Sequence, residues 1–315
     1  MFERKSLAPN VVKLLLSSCV SSTWTQYNTY FLKWQNFCNV EVCSVISPTV
    51  NHVLSFLTSL YESGLGYSSV NTARSSLSLF LSKIEGYNAG DHPLVCRLVR
   101  AIGKNRPPQA RYSTIWDAGM VLNVFKKWKN NDELSLAQLT YKCAALLALV
   151  SAQRVQTLSL IKVSNMKFTE TLTIFIKDNI KTSAPGRVQP TIIVPRFISE
   201  PKLCVFSCVS SYLEKTLPIR KSDCLFLTLV KPHSAASTQT ISRWLKVVLI
   251  EAKVNTTIYK SHSYRHAATS KAKDKGVCID SIFRTAGWTT GSSTFANFYS
   301  RPITNINEFA EAILN

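Results

Sequence analysis

Six side chains in the later part of this chain have the types and spacings to act on one phosphodiester. His262 and Arg265 lie three apart in His262-Ser263-Tyr264-Arg265, Trp288 follows Gly287, and Tyr299 comes shortly after. Upstream, Arg154 stands at the end of an apolar helical run and Lys181 follows an apolar, β-like one. Arginines can neutralise a phosphate in flight, lysine and histidine can move protons, and an indole N–H can add a hydrogen bond. Tyrosine can serve as a covalent nucleophile. That set needs neither a metal ion nor a cofactor. The nine cysteines point the same way: Cys204 and Cys208 lie one helical turn apart, but no second pair follows at zinc-ligand spacing. Reduced thiols are the expectation.

Charge identifies a partner. The chain has 315 residues and a net charge of +19. Residues 1–103 carry eight basic and five acidic side chains, and residues 112–315 carry 26 and 13. The eight residues between them hold Lys104, Arg106 and Arg111 and no acid. An excess of this size, concentrated in the second part and the short connector, is the footprint of a polyanion-binding protein, and nucleic acid is the usual polyanion. No stretch approaches the ~20 apolar residues of a membrane span. Val11–Cys19 is apolar but too short, and no cleavage site of a signal peptide follows it.

The elements that must position these groups are mostly helices. Trp24, Tyr27, Phe31, Trp34, Phe37 and Cys38 recur at threes and fours behind a cap at Ser22 or Thr23. Ser47-Pro48 reads as a cap with proline at the first helical position, ahead of the stripe Val50, Val53, Leu54, Leu57, Leu60, Tyr61. Ser68 or Ser69 opens a third helix, and 93–102 makes a fourth. The chain then divides into a helical bundle over 1–103, a stiff basic linker over 104–111 and a second domain over 112–315. In the second domain an apolar helix over 136–150 gives way to three short β-branched or aromatic runs: 166–168, 172–176 and 191–194. These predict a three-stranded antiparallel sheet. The loop between the second and third runs carries Lys177, Lys181 and Arg187. Helices follow over 204–216, over 240–252 and from His262 onward. The fold class expected is therefore mainly α, a helical bundle plus a mostly helical domain with one small sheet.

With Arg154, the lysine hairpin, His262-x-x-Arg265, Trp288 and Tyr299 in this order, the chain resembles the tyrosine recombinase (phage-integrase-like) family across nearly its whole length. The segments Gln153-Arg154-Val155-Gln156-Thr157-Leu158 and Thr294-Phe295-Ala296-Asn297-Phe298-Tyr299-Ser300-Arg301-Pro302 look most like the recombinases of DIRS and Ngaro-type animal mobile elements. The resemblance implies a helical core-binding domain and a catalytic domain that clamp double-stranded DNA. It implies site-specific strand cutting and rejoining through a 3′-phosphotyrosine, for integration or excision.

The resemblance also assigns roles. Arg154 and Arg265 clamp the phosphate, His262 accepts the phenolic proton, Trp288 donates to the phosphate and Tyr299 attacks. Lys181 protonates the departing 5′ oxygen, with Lys177 and Arg187 as rivals in the same loop, and Tyr264 is a competing nucleophile. Lys104, Arg106, Arg111, Lys177 and Arg187 are expected on the DNA backbone. Where the family commonly has a carboxylate three residues after the first arginine, this chain has Thr157, and the Trp288–Tyr299 connector is slightly long. After Pro302, Ile306, Phe309, Ala310, Ile313 and Leu314 form an apolar helical stripe. In similar recombinases such a helix docks into a neighbouring protomer, giving a tetramer on DNA. A nuclear location follows if the host is eukaryotic. Two other functions fit parts of the pattern: a type IB topoisomerase, which needs no tetramer, and a domesticated DNA-binding protein.

Overall fold

The structure, a computed structural model, describes residues 8–109, 111–184, 186–288 and 299–300. The chain separates into two compact units, 1–109 and 110–315.

The first unit is helical. It comprises α1 (Pro9–Leu16), α2 (Ser21–Val40), α3 (Val50–Glu62), α4 (Tyr67–Phe80) and α5 (Pro93–Asn105). Its core gathers Trp34 and Cys38 of α2, Phe56, Leu57 and Leu60 of α3, Val70, Ala73 and Leu77 of α4, and Val95, Val99 and Ile102 of α5. The boundaries depart from the sequence expectation at the caps. Helix α2 begins two or three residues early, behind Val20 and with no side-chain cap. Helix α3 is capped by Thr49, not Ser47: the Thr49 hydroxyl accepts from the His52 N–H at 3.4 Å, and a ring nitrogen of His52 accepts from the Thr49 N–H at 3.3 Å. This reciprocal pair satisfies two of the orphan donors of a helix start, so Pro48 stays outside the helix. Helix α4 starts at Tyr67 behind Gly66. Helix α5 runs past Ile102 to Asn105, so Lys104 is in its last turn.

The second unit wraps around α7 (Leu136–Ser151), whose apolar residues fall on all sides rather than on one stripe. A helix of that pattern must be buried. It is enclosed by α9 (Val205–Thr216), α10 (Thr238–Glu251) and α11 (Ser263–Asp274). Around these lie α6 (Ala118–Lys127), the short α8 (Val155–Ser159) and α12 (Ile279–Ala286). Ser135 caps α7 with Gln138 returning the bond, the capping-box arrangement.

The sheet has the expected three antiparallel strands, β1 (Met166–Phe168), β2 (Thr171–Phe175) and β3 (Thr191–Pro195), with β2 in the middle. Leu172 pairs with Val194 and Ile174 with Ile192, and all four are buried. Ile193, one register step away, is exposed, as period-two alternation requires. Among the described residues no helix is long and apolar enough to cross a membrane.

Candidate active site

Arg154 is positioned by a forced stop. Helix α7 ends at Ala152 in the left-handed conformation, φ 48° and ψ 22°, which costs an L-residue with a Cβ about 1–2 kcal/mol. The turn swings Gln153 and Arg154 out of the helix line. Gln153 is buried and its Nε2 donates to the Thr285 carbonyl at 2.7 Å, fastening this corner to α12. Arg154 then stands half-buried at the N-cap of α8. Thr157, in place of the carboxylate, is buried in the first turn of α8, and its N–H donates to the Arg154 carbonyl at 2.8 Å.

The strained carbonyl has a use. Arg265, on the first turn of α11 and only 1 % exposed, donates from Nη1 to the Ala152 carbonyl at 2.8 Å. Its Nε and Nη2 make no hydrogen bond among the described residues. The guanidinium carbon lies 4.2 Å from the centre of the Trp288 ring, a cation–π contact. Burial, then the neighbouring Arg154 charge, push the Arg265 pKa down to about 10. It therefore remains a cation at neutral pH, held in a poorly solvated place.

His262 is the N-cap residue of α11, and Trp116 fastens that helix start by donating from Nε1 to the Ser263 hydroxyl at 2.8 Å. Burial comes first and then the charges of Arg265, Arg154, Arg111 and Lys181 in pushing the His262 pKa down to about 4. The imidazole is thus neutral at pH 7. Its Nε2 lies 3.0 Å from the Tyr299 hydroxyl, so with the proton on Nδ1 it accepts from the phenol.

Tyr299 is held along its whole length by α11. The Ser270 hydroxyl donates to its carbonyl at 3.1 Å, and Lys273 donates to the Ser300 hydroxyl at 2.8 Å. His266 stacks on its ring, with centroids 4.1 Å apart and planes 21° apart. The rival, Tyr264, has different surroundings. It is 1 % exposed, its hydroxyl donates to the Leu245 carbonyl at 3.1 Å, and burial raises its pKa well above the usual phenol range.

The other basic residues fall into three settings. Lys181 is exposed beside Ile180, which is buried and anchors the hairpin. The Ile180 backbone closes a turn onto Ser183, and Ser183 bonds Gln189 across the loop. Lys177 and Arg187 are exposed in the same loop, and Arg187 reaches the Thr182 carbonyl at 3.4 Å. Lys104 is exposed on α5.

Arg106 departs from the solvated-linker picture. Its guanidinium stacks 4.3 Å over the Tyr61 ring and donates to the Tyr61 and Leu65 carbonyls at 3.2 and 2.9 Å, satisfying the C-terminal end of α3. Arg111 lies over Tyr112, and its charge reaches His262.

Arg154, Arg265, His262, Trp288 and Tyr299 therefore surround one place, with the charges of Lys181 and Arg111 within reach. No carboxylate forms an ion pair with Arg154, Arg265, Lys181 or Arg111 among the described residues. Such a cluster calls for an anion. Gln153 and Tyr112, which brace the site, were not singled out from sequence; a glutamine in an apolar corner was the one available signal. No group of three or more His, Cys, Asp or Glu residues able to hold a metal ion occurs among the described residues. The apolar stripe 306–314 lies outside the described residues.

Comparison with known proteins gives the family and the fold. The sequence profile of the phage integrase family matches residues 123–304. A lambda integrase dimer bound to a COC′ core site is similar in fold, with 17 % identity and a TM-score of 0.56 over 91 % of this chain and 75 % of that one. XerH site-specific recombinase bound to palindromic difH substrate shows 14 % identity and a TM-score of 0.54 over 84 % and 70 %. The Tn1549 transposon integrase in complex with circular intermediate DNA shows 12 % identity and a TM-score of 0.51 over 87 % of each chain. No curated protein sequence matches this chain.

Proposed function

Because the chain belongs to the phage integrase family of tyrosine recombinases, we propose that it is a site-specific DNA recombinase that cuts and rejoins strands through a 3′-phosphotyrosine. The observation that carries this reading is the Tyr299 hydroxyl 3.0 Å from a neutral His262, beside a buried Arg265 guanidinium whose Nε and Nη2 are unpaired among the described residues.

The chemistry follows from those groups. A backbone phosphate enters between Arg154 and Arg265, whose charges match the extra negative charge of the transition state. His262 takes the phenolic proton as the Tyr299 oxygen bonds to phosphorus. The bond to the 5′ oxygen breaks, and Lys181 supplies the proton that makes it a 5′ hydroxyl. The phosphodiester energy is kept in the tyrosyl ester, so attack by another 5′ hydroxyl reverses every step and rejoins the strand. Lys104, Arg111, Lys177 and Arg187 supply exposed charge for the DNA backbone.

A finer reading rests on the resemblance of the segments around Arg154 and Tyr299. The chain serves integration or excision of a mobile element of the DIRS or Ngaro type, in the nucleus of a eukaryotic host. It assembles as a tetramer on DNA through its terminal apolar stripe.

The test is incubation with supercoiled plasmids carrying candidate element ends, followed by denaturation and mapping of protein-linked DNA. Covalent adducts at defined sites, on the 3′ side of each break, support the reading. Relaxation of any plasmid without preferred sites would make the protein a topoisomerase. Binding without adduct would leave only a DNA-binding protein.

A further inference from the structure

Phosphotyrosine chemistry needs the phenol oxygen in line with the bond that breaks, and a tyrosine side chain turns about two torsions. The Ser270 hydroxyl holds the Tyr299 carbonyl and Lys273 holds the Ser300 hydroxyl, and neither bond fixes the ring. The His262 hydrogen bond holds only the tip. What fixes the ring is the stripe of α11 that faces it. His262, His266, Ser270 and Lys273 recur at four, four and three residues, one face of a helix. They meet Tyr299 and Ser300 in order: the hydroxyl, the ring, the carbonyl and the next side chain.

His266 occupies the ring position. Its imidazole is 4 % exposed and near-parallel to the phenol, at 4.1 Å and 21°. Behind it, the Tyr112 ring meets it edge-on at 5.1 Å and 87°. Tyr112 is itself set against Tyr259 at 5.4 Å, and the Tyr259 hydroxyl bonds Thr114 at 3.1 Å. The stack thus rests on fixed structure. Trp288 also inclines to the phenol at 4.7 Å and 58°.

We propose that His266 is a positioning residue for the nucleophile: braced by Tyr112, its flat face sets the plane of the Tyr299 ring and so keeps the phenol oxygen at His262. This rests on the recombinase reading. It goes beyond it by giving a role to a residue that touches neither the phosphate nor the reacting atoms. The element required is a flat ring, not a proton. A misplacement of about 1 Å in a reacting group costs on the order of a hundredfold in rate.

The test uses the full chain and a thymidine 3′-(4-nitrophenyl phosphate) diester. Attack by Tyr299 forms the tyrosyl ester and releases one nitrophenolate, a leaving group that needs no proton. The unaltered protein should give a stoichiometric burst and Tyr299→Phe none. His266→Ala should slow the burst by about ten- to a hundredfold, with duplex DNA binding unchanged. His266→Phe, which restores a flat ring without nitrogen, should recover most of the rate. If His266→Ala melts early, His266→Leu, which fills the volume without a ring, takes its place.

A burst at full rate in the ringless variants would overturn the proposal. So would a His266→Phe protein as slow as His266→Ala, since the imidazole nitrogens would then be what matters. No burst from the unaltered protein would remove the recombinase reading and this role together.

Discussion

The buried arginine on α11 and the hairpin lysine between β2 and β3 both belong to the proposed reaction, yet their settings are built in opposite ways. Arg265 is 1 % exposed, fixed by the Ala152 carbonyl and covered by Trp288. Lys181 is exposed at the tip of a turn whose neighbour Ile180 is the anchored residue. The difference follows the task. A charge that stabilises a transition state is worth most when it cannot reorganise and water is kept away. The proposed proton donor has to reach an oxygen that appears only when DNA is cut, which suits an exposed position. Burial carries a stability cost, visible in the lowered pKa of Arg265, that the hairpin avoids.

The strongest break in the pocket is Tyr299→Phe. It keeps the ring and its stack, so duplex binding should persist while covalent adduct disappears altogether. Adduct that survived would require another nucleophile, and mass spectrometry of the DNA-linked peptide would locate it. Next, Arg265→Met should lower the cleavage rate by about 10²–10³-fold while leaving the melting temperature equal or higher. A buried charge with two donors unpaired among the described residues opposes folding, and a thioether of similar length does not. Early melting of this variant would mean that the Ala152 bond outweighs the desolvation.

The hairpin should respond otherwise. Lys181→Ala should slow cleavage of ordinary DNA by about 10²-fold or more with no change in melting temperature. A substrate with sulfur at the bridging 5′ position should restore it, because a thiolate leaves without a proton. Absence of rescue would move the proton-donor role to Lys177 or Arg187.

The smallest effect concerns pH. The His262 pKa falls from 6.5 to about 4 on folding, so between those values the unfolded chain binds the additional proton. Its contribution to stability is therefore complete above pH 6.5 and is lost as the pH falls toward 4. The same neutral imidazole is the form that accepts the phenolic proton. The kcat/KM for adduct formation should accordingly stay flat from pH 8 to about 5, with its acid limb near 4. A limb near 6.5 would show that the surrounding cations do not reach His262 as they do here.

Much of the architecture was legible from periodicity alone. The three strands followed from short β-branched or aromatic runs, and α7 from one strongly apolar run. Cap residues were less legible, because Ser47, Thr49, Ser68 and Ser69 are chemically equivalent candidates. The choice of Thr49 depends on His52 turning back to meet it. Arg106 looked like linker charge, since nothing in its neighbours reveals that Tyr61 and Leu65 will present carbonyls to it.

By itself the sequence determined the chemical identities and the local spacings: an H-x-x-R pair on one helical face, an arginine after an apolar helix, a tyrosine following a tryptophan. These are short-range facts, dictated by residue type and the helical repeat. Only the tertiary structure decided which of two tyrosines meets the His262 imidazole. Tyr264 is turned into the core against the Leu245 carbonyl, and Tyr299, 37 residues from His262, is brought to its Nε2. It also decided that Ala152 accepts a strained turn and that His266 lies flat against the nucleophile. The physical reason is common to all three. Each is a contact across long sequence separation, selected by how α7, α11 and α12 pack, and no local propensity encodes the outcome of that packing.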